Sequence, residues 1–453
     1  MKQTFSDMRV TVIGAGQTGL ALVRFLVDRG ATVTLSDRRR PEEIIGLDLL
    51  DDLLVDLDLG GHSLKCFEEA DLIAVSPGVP LDTKPLKHAL SKGIPLLGEV
   101  EIAARECRAP ILAVTGTNGK STTTSLIGEI FKQWGKRIFV GGNLGTPLVA
   151  ACTQEDWDYL AVELSSFQLE TIERFCPHYG LLLNLSEDHL DRYPDLDSYF
   201  AAKKQMFKNM GPDQIAVLNA DDQQVISLVA DVLCRKVLFS GSAYLNEGMS
   251  RIGNELVWRW NEEETRFSLS DLQLKGEHNI ENAMAAMIPA LLEGCPSELA
   301  WSAVCSFRGL EHRMNLVCKL DGVSWYNDSK GTNVGSVLKS VAGLDAPVTL
   351  IAGGKDKGGD YSLLRPLLED RVVHLVLLGE AAPKIEKALS GACHIHQVAD
   401  LKEAVQIARQ VTEANGSVLL SPACSSFDMF ENFGRRGDEF CRLVLALKQG
   451  DAV

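Results

Sequence analysis

Short apolar runs alternate with amphipathic segments along most of the chain. Several runs end in a polar or glycine-rich turn, and apolar residues three or four positions apart follow, as at Leu401, Ala404, Val405, Ala408 and Val411. This repeated βα pattern predicts an α/β protein whose parallel sheets carry their sites at the carboxyl ends of the strands. The predicted strands are 10–13, 32–35, 72–75, 111–114, 159–162, 180–185, 347–352, 374–378 and 417–420.

One stretch departs from this pattern. Residues 252–274 alternate apolar and polar positions, as in RIGNELVWRW, which predicts an antiparallel excursion. A length of 453 residues suggests about three domains, and we place them at 1–98, 99–309 and 310–453.

Charge and composition narrow the class of protein. The 45 basic and 61 acidic residues give a net charge of −16, which argues against general attraction to nucleic acid or anionic membranes. No apolar run approaches the ~18 residues of a membrane span, and the first residues lack a signal-peptide core. We therefore expect a cytoplasmic protein without membrane insertion. Its 11 cysteines form no C-x-x-C pair and are expected to be reduced and mostly buried.

The sequence CHIH at 393–396 hints at a metal cluster. The alternation of His394 and His396 is equally typical of the polar face of a strand, which is the interpretation that we favour.

Residues 115–122 read TGTNGKST and follow the apolar run at 111–114. A strand, a glycine-rich turn and the start of a helix at 121–133 form a cradle whose N–H groups bind anions. The strict P-loop pattern requires glycine at position 114, where the chain has valine, so this loop is shorter. A lysine followed by three hydroxyl residues at a helix start nevertheless predicts nucleoside triphosphate binding. The predicted loop residues are Gly116, Thr117, Asn118, Gly119, Lys120, Ser121 and Thr122.

A second glycine motif, GAGQTG at 14–19, also joins a strand to a helix. With Asp37 at the end of the next strand, it is typical of a dinucleotide-binding fold. A second phosphate loop follows about a hundred residues later, and the three arginines at 38–40 suit phosphates or the edge of a uracil base. These two observations favour a nucleotide or nucleotide sugar over NAD, although an ordinary solvated turn also accounts for the arginines.

Several motifs occur in the order found in the Mur ligases, across essentially the whole chain. They are the phosphate loop, ELSSFQLE at 163–170, NLSEDHLDRY at 184–193, GEHNIENAMAA at 276–286, HR at 312–313 and NDSKGTN at 327–333. The chain therefore resembles the Mur ligase family, and SPACSSFDMFENFGRRG at 421–437 resembles its D-glutamate-adding members. The resemblance implies a Rossmann-like N-terminal domain, a P-loop-type ATP-binding central domain and a Rossmann-like C-terminal domain.

The resemblance also implies ATP-dependent amide formation. The carboxylate of UDP-N-acetylmuramoyl-L-alanine becomes an acyl phosphate, the amine of D-glutamate attacks it, and phosphate leaves a tetrahedral intermediate. Lys120 would hold the β- and γ-phosphates, while Ser121 and Glu163 would hold a first Mg²⁺, an ion that prefers oxygen ligands. His189 and Lys203, the latter as a carbamate made with CO₂, would serve a second Mg²⁺. Spacing alone does not separate Lys203 from Lys204.

Further roles are carried over from the family position by position. Asn279 matches an adenine contact, and Arg313 and Asp328 match residues that reach ATP, Asp328 at the ribose. The residues that match the D-glutamate pocket are Lys330, Thr332, Lys357, Ser426 and Phe433. Asn143 and Ser165 match contacts to the sugar-nucleotide arm. Thr18, Asp37, Arg38 and Ser76 would face the uridine, although Arg38 stands where relatives commonly have a hydroxyl residue.

Three alternatives stay open at this point. The chain could be a related ligase that adds another amino acid or acts on folate, a nucleotide-binding regulatory module without turnover, or an NAD oxidoreductase. If the chain is the D-glutamate-adding ligase that the resemblance implies, we expect a monomer whose partners are ATP, D-glutamate and the sugar nucleotide.

Overall fold

The computed structural model describes residues 5–449 except 154, 155, 191 and 275. Its strands form three sheets, one after another along the chain. Each parallel strand is followed by a turn and usually by a helix, as the hydrophobic pattern predicts. Among the described residues, none of the helices combines the length and apolar character needed to cross a membrane.

The first sheet is fully parallel, with strand order β3-β2-β1-β4-β5. Gly19 allows its first helix to pack closely, since a Cβ at this position would lie 1.8 Å from the carbonyl oxygen of Gly14. The elements are β1 (Arg9–Ile13), α1 (Gln17–Asp28), β2 (Thr32–Asp37), β3 (Val55–Leu59), α2 (Leu64–Glu68), β4 (Leu72–Val75), α3 (Lys84–Ser91), β5 (Leu96–Gly98) and α4 (Glu99–Glu106).

The second sheet has the order β14-β13-β12-β11-β10-β9-β6-β8-β7, in which only the β12–β13 and β13–β14 pairs are antiparallel. The elements are β6 (Ile111–Thr115), α5 (Lys120–Gln133), β7 (Ile138–Gly142), β8 (Tyr159–Glu163), α6 (Ser166–Leu169), β9 (Tyr179–Leu182), α7 (Leu196–Lys204), β10 (Ile215–Asn219), α8 (Gln223–Leu228), β11 (Arg235–Ser240), β12 (Gly248–Ile252), β13 (Glu255–Trp260), β14 (Glu263–Ser268), α9 (Glu277–Leu292) and α10 (Ser297–Ser306).

The third sheet has the order β15-β16-β20-β17-β18-β19 and is parallel except for the β15–β16 pair. Two apolar cores cover its faces, one around Leu350 and Leu375, the other around Ile351 and Val376. The elements are β15 (Asn315–Leu320), β16 (Val323–Asn327), α11 (Val334–Ala342), β17 (Val348–Gly353), α12 (Arg365–Arg371), β18 (Val372–Leu378), α13 (Ala382–Leu389), β19 (His394–Gln397), α14 (Leu401–Val411), β20 (Ser417–Leu420) and α15 (Phe433–Gln449).

The described residues divide into two compact units. Unit 1 comprises residues 5–184, 199–269 and 283–304 and contains the first two sheets. Unit 2 comprises 185–198, 270–282 and 305–449 and contains the third sheet.

Most predicted elements are confirmed, with small shifts at their ends. The strand expected at 180–185 is β9, which ends at Leu182, and the antiparallel excursion begins at Gly248 rather than at 252. The short, partly exposed strand β3 was not predicted, because its sequence contains no apolar run. All 11 cysteines are free, but only Cys152, Cys234, Cys295 and Cys424 are buried, so the expectation that most would be buried is wrong.

Candidate active site

The phosphate loop follows β6 and leads into α5. Gly119 has a left-handed conformation (φ 86°) and precedes α5 as an N-cap residue that has no capping side chain. Asn184, after β9, clamps the loop: its side chain accepts from Asn118 N at 2.8 Å and donates to Asn118 O at 3.0 Å. Its carbonyl oxygen also accepts from Thr117 N at 2.9 Å. The loop is therefore a fixed cradle at the carboxyl ends of β6 and β9.

Two lysines meet on this loop. Lys120 Nζ donates to the carbonyl oxygens of Gly116 and Thr117 at 2.9 and 2.7 Å. Lys203 is 1% exposed, and its Nζ donates to the same Gly116 oxygen at 2.8 Å. Lys204 points elsewhere and pairs with Asp231, with 2.7 Å between Nζ and Oδ1. Two lysine side chains from distant segments thus share one acceptor of the loop.

Glu163 ends β8 next to the loop, in register with Val114 of β6. It is 1% exposed, and its Oε1 accepts from Asn143 Nδ2 at 2.6 Å, while Asn143 N donates to the Glu163 carbonyl at 2.8 Å. Ser121 is also buried, in the first turn of α5. These hydroxyl and carboxylate oxygens are the donors that a hard cation such as Mg²⁺ prefers; one lies at the start of α5 and the other at the end of β8. Thr122 is buried in the same turn.

Ser165 has a visible structural role. It caps α6, where its Oγ accepts from Gln168 N at 3.3 Å while Gln168 Oε1 accepts from Ser165 N at 2.9 Å. This capping box fixes the turn directly after Glu163. Its predicted contact to the sugar-nucleotide arm remains a prediction.

In unit 2, Asp188 gathers polar side chains around a buried carboxylate. Asn333 Nδ2 donates to its Oδ2 at 3.0 Å, and Lys357 Nζ lies 3.6 Å from its Oδ1. His189 follows with a left-handed backbone (φ 57°), its Nε2 3.8 Å from Asp188 Oδ2. The sequence offered Asp188 only as part of NLSEDHLDRY, of which Asp191 lies outside the described residues.

The residues predicted for D-glutamate largely cluster in unit 2. Lys330 Nζ lies 3.8 Å from the centre of the Phe433 ring, and Lys357 Nζ donates to Thr332 Oγ1 at 3.5 Å. Ser426 is 2% exposed and accepts through its carbonyl oxygen from Phe430 N at 2.8 Å.

A buried arginine that sequence reasoning missed supports this cluster. Arg436 is 3% exposed and donates to Ser329 Oγ and Ser329 O at 3.0 and 2.9 Å. It also donates to the carbonyl oxygens of Cys424 and Ser425, each at 3.3 Å. Burial lowers the pKa of Arg436 to about 10. Arg436 joins the segments that carry Lys330 and Ser426. In the sequence, only its position within FENFGRRG indicated a functional role.

The residues of unit 2 that are predicted to bind ATP include one buried carboxylate, that of Asp328. Asp328 is 5% exposed, and its Oδ2 accepts from Ser340 Oγ and Ser421 Oγ, both at 2.7 Å. Burial raises the pKa of Asp328 to about 6, although these hydroxyls and Arg313 act in the opposite direction. Asn279 lies in the first turn of α9. Its neighbour His278 has a pKa lowered to about 4 by burial and by the charges of Lys339 and Arg313.

In the first sheet, Asp37 is engaged by protein groups. Its Oδ2 accepts from Ala15 N at 2.7 Å, and its Oδ1 accepts from Arg39 N at 2.8 Å and Arg39 Nε at 3.0 Å. Burial alone would raise its pKa, but the Arg39 and Ala15 hydrogen bonds lower the pKa of Asp37 to about 2. Ser76 Oγ donates to Gly14 O at 3.0 Å, so both residues shape the glycine turn. Thr18 is half-buried in the first turn of α1, and Arg38 is exposed.

His394 and His396 lie on β19, as a polar strand predicts, and His396 Nε2 is 3.3 Å from His374 Nδ1 of β18. No cluster of three metal-ligating side chains is present in the part of the chain that the structure describes.

The three sheets and the lysine-bearing loop define an α/β protein with a phosphate-loop type of turn between β6 and α5. The sequence models of three Mur ligase domains match it in order: the MurD-like N-terminal domain at 8–98, the middle domain at 114–290 and the glutamate ligase domain at 312–424. The chain belongs to the Mur ligase family.

Similar proteins carry a more particular name. The chain is 56% identical to the UDP-N-acetylmuramoylalanine--D-glutamate ligase of Syntrophotalea carbinolica, over 98% of the chain and 99% of that protein. It is 48% identical to the ligase of the same name from Geotalea daltonii, over 98% of each.

Solved structures share the fold. A pseudomurein peptide ligase type C from Methanothermus fervidus has a TM-score of 0.63 at 19% identity, covering 98% of this chain and 100% of that one. A MurF ligase from Thermotoga maritima, solved in complex with ADP, has a TM-score of 0.62 at 13% identity, covering 100% of this chain and 98% of that one.

Proposed function

We propose that the protein is an ATP-dependent ligase that joins D-glutamate to UDP-N-acetylmuramoyl-L-alanine, through an acyl phosphate and a tetrahedral intermediate, in peptidoglycan precursor synthesis. The observation that carries the ATP chemistry is the convergence of Lys120 and Lys203 on the Gly116 carbonyl. The choice of substrates rests on the full-length similarity to ligases of that name.

The chemistry explains why charged groups are needed at the loop. A carboxylate and an amine condense unfavourably in water, so the carboxylate must first receive a leaving group. The γ-phosphate and the acceptor carboxylate are both anionic, and a site that joins them has to neutralise their repulsion. Lys120 would turn from the loop carbonyls to the β- and γ-phosphates, with Gly116, Thr117, Asn118, Gly119 and Thr122 around them.

Mg²⁺ fits the donors present. When bound, it would neutralise phosphate charge and orient the transferred phosphoryl group. Ser121 and Glu163 would hold the first ion, and Asn143 orients Glu163 through its 2.6 Å hydrogen bond. We assign His189 and a carbamylated Lys203 to a second ion.

The burial of Lys203 and the orientation of its side chain favour Lys203 over Lys204 as the carbamate. Lys203 is 1% exposed and faces the loop, whereas Lys204 pairs with Asp231. Carbamate formation replaces a cation beside Lys120 by an anion, so repulsion between two cations becomes attraction. It also places carboxylate-like oxygens on a long stem near the phosphate cradle.

The remaining residues are assigned as the family pattern implies. Asn279, Arg313 and Asp328 would bind the adenosine part of ATP. The D-glutamate residues would be Lys330, Thr332, Lys357, Ser426 and Phe433. Asn143, Ser165, Thr18, Asp37, Arg38 and Ser76 would face the sugar nucleotide, Asp37 acting mainly by ordering the turn after β1. We retain the domain boundaries 98/99 and 309/310, a cytoplasmic location and a monomeric state.

The test follows ADP release by the purified protein with ATP and Mg²⁺. We expect release to require UDP-N-acetylmuramoyl-L-alanine and D-glutamate together, and mass spectrometry to detect the amide product. A nucleotide-binding module would give no release with all substrates present, and this result would overturn the proposal. NADH oxidation under the same conditions would indicate an oxidoreductase instead.

A further inference from the structure

Two thiols from distant segments of unit 1 meet beside α4. Cys107 directly follows α4, and Cys152 lies in a 3₁₀ turn at Leu148–Thr153. Their Sγ atoms are 3.0 Å apart. Arg29 holds the two segments together, because its guanidinium pairs with Glu106 and donates to the Cys152 carbonyl at 3.2 Å. The pair is therefore fixed by the packing around it.

The two thiols differ in access. Cys152 is 8% exposed, whereas Cys107 is half-buried and lines a cavity of about 420 Å³. The same cavity is lined by Arg105, Arg108 and Arg174. Arg108 and Arg174 are exposed, so a small anion that enters the cavity meets positive charge in a chain of net charge −16.

The contact with Cys107 also affects the ionisation of Cys152. The hydrogen bond with Cys107, together with burial, raises the pKa of Cys152 far above its ordinary value. Because Cys107 lines the cavity and Cys152 is buried behind it, Cys107 is the thiol that meets a reagent first.

We propose that Cys107 is a modification site for small anionic disulfides and that Cys152 resolves the adduct into an intramolecular disulfide. The Cys107 thiolate attacks one sulfur of the reagent, a new S–S bond forms, and one reagent thiolate leaves and takes up a proton. In the mixed disulfide Cys107 is no longer a thiol, so the largest cause of the raised pKa of Cys152 is removed. Cys152 then loses its proton to solvent and attacks the Cys107 sulfur, which expels the second thiolate. Two protein thiols are oxidised and one small disulfide is reduced to two thiols.

The closed form would tie the end of α4 to the Leu148–Thr153 turn. The segment between β7 and this turn carries Asn143, which holds Glu163. The inference concerns thiol chemistry and does not depend on the proposed ligase activity.

The experiment exposes the full-length protein to oxidised glutathione, then blocks free thiols and maps peptides without reduction. In wild type we expect a Cys107–Cys152 cross-link. In Cys152→Ser and Cys152→Ala, Cys107 should instead keep the glutathione adduct, at a level at least about ten-fold above wild type, because an adjacent thiol has a high effective concentration. Cys107→Ser should give neither product.

Two further variants sharpen the outcome. Cys176→Ser removes an exposed thiol that lines the same cavity and should leave the cross-link unchanged. Arg108→Glu with Arg174→Glu should slow formation of the cross-link. A stable glutathione adduct on Cys107 in wild type, a cross-link to Cys176, or no reaction at Cys107 would each overturn the proposal.

Discussion

Lys203 Nζ and the Gly116 carbonyl oxygen are 2.8 Å apart, although 87 residues separate them in the chain. The contact brings α7 to the phosphate loop and places a buried lysine beside Lys120. Lys203 Nζ also lies 4.6 Å from the centre of the Tyr199 ring, so its position is fixed from two sides. This position beside the phosphate loop is what the proposed role of Lys203, a carbamate that binds the second Mg²⁺, requires.

Replacing Lys203 by alanine should nearly abolish ligase turnover, because the carbamate oxygen that we assign to the second Mg²⁺ is lost. Formate or acetate at high concentration should restore part of the activity by supplying that oxygen. The rate of phosphate release with all substrates measures both effects.

Lys204→Ala is the matched control and should stay near wild type, because Lys204 pairs with Asp231. Chloride at equal ionic strength controls for screening. Retained activity in Lys203→Ala would remove the carbamate assignment, and loss without carboxylate rescue would leave the metal-ligand role without support.

Lys120→Ala should lower turnover a few hundred-fold or more. One preorganised cation on developing phosphate charge contributes about 3–4 kcal/mol, by analogy with a lost oxyanion donor. The exposed Lys132 of the same helix provides the control, since Lys132→Ala should leave kcat unchanged. Carboxylates should not rescue Lys120→Ala, because it lacks a cation. A kcat near wild type would refute the role.

Arg436→Lys should raise KM for D-glutamate about ten-fold or more and leave KM for ATP nearly unchanged. A lysine retains the charge but cannot donate to all of the Ser329, Cys424 and Ser425 oxygens that Arg436 reaches. Arg436→Met should also destabilise the protein by about 3 kcal/mol, because buried acceptors lose their donors. Arg435→Met, at the exposed neighbouring position, is the control for loss of an arginine side chain. Equal changes in both KM values would argue against a positioning role.

Glu99 should make stability depend on pH. It is 1% exposed, Val149 N donates to its Oε1 at 2.6 Å, and its Oε2 has no hydrogen-bond partner among the described residues. Burial raises the pKa of Glu99 from 4.5 to about 7. The folded state therefore holds the proton more tightly than the unfolded state, and stability falls as pH rises from 4.5 to about 7.

The measurement is the free energy of unfolding, obtained from urea titrations, of Glu99→Gln minus that of wild type across this pH range. The variant should gain on wild type as pH rises, by about 3 kcal/mol in total, since each pKa unit corresponds to about 1.4 kcal/mol. Glu42→Gln, at an exposed position, is the control, and its free energy of unfolding should change with pH as that of wild type does. A difference that does not change with pH would show that Glu99 has an ordinary pKa in the folded protein.

Regular patterns made most of the fold predictable. Buried parallel strands are short apolar runs, and the loop at 115–122 is recognisable in the sequence from its glycines, lysine and hydroxyl residues. Strand β3 was not predicted because its VDLDL sequence is only partly buried and has no apolar run. The predicted strands also left out β5, β7, β10, β11, β15 and β16.

The site was less predictable where tertiary packing decides. Lys203 and Lys204 are neighbours in sequence, and only packing against the loop buries one and leaves the other with Asp231. Arg436 and Asp188 act through contacts with segments far along the chain, which no local pattern reveals. Asp37 has the spacing of a ribose-binding acid, yet its oxygens accept from Ala15 and Arg39.

The central claim is that the enzyme joins D-glutamate to UDP-N-acetylmuramoyl-L-alanine. Its most direct test compares kcat/KM for phosphate release across a panel of amino acids of both hands, with ATP, Mg²⁺ and the sugar nucleotide held constant. D-glutamate should give the highest value by a wide margin, and L-glutamate should be a poor substrate. A higher kcat/KM for L-glutamate or for any other amino acid would contradict the account.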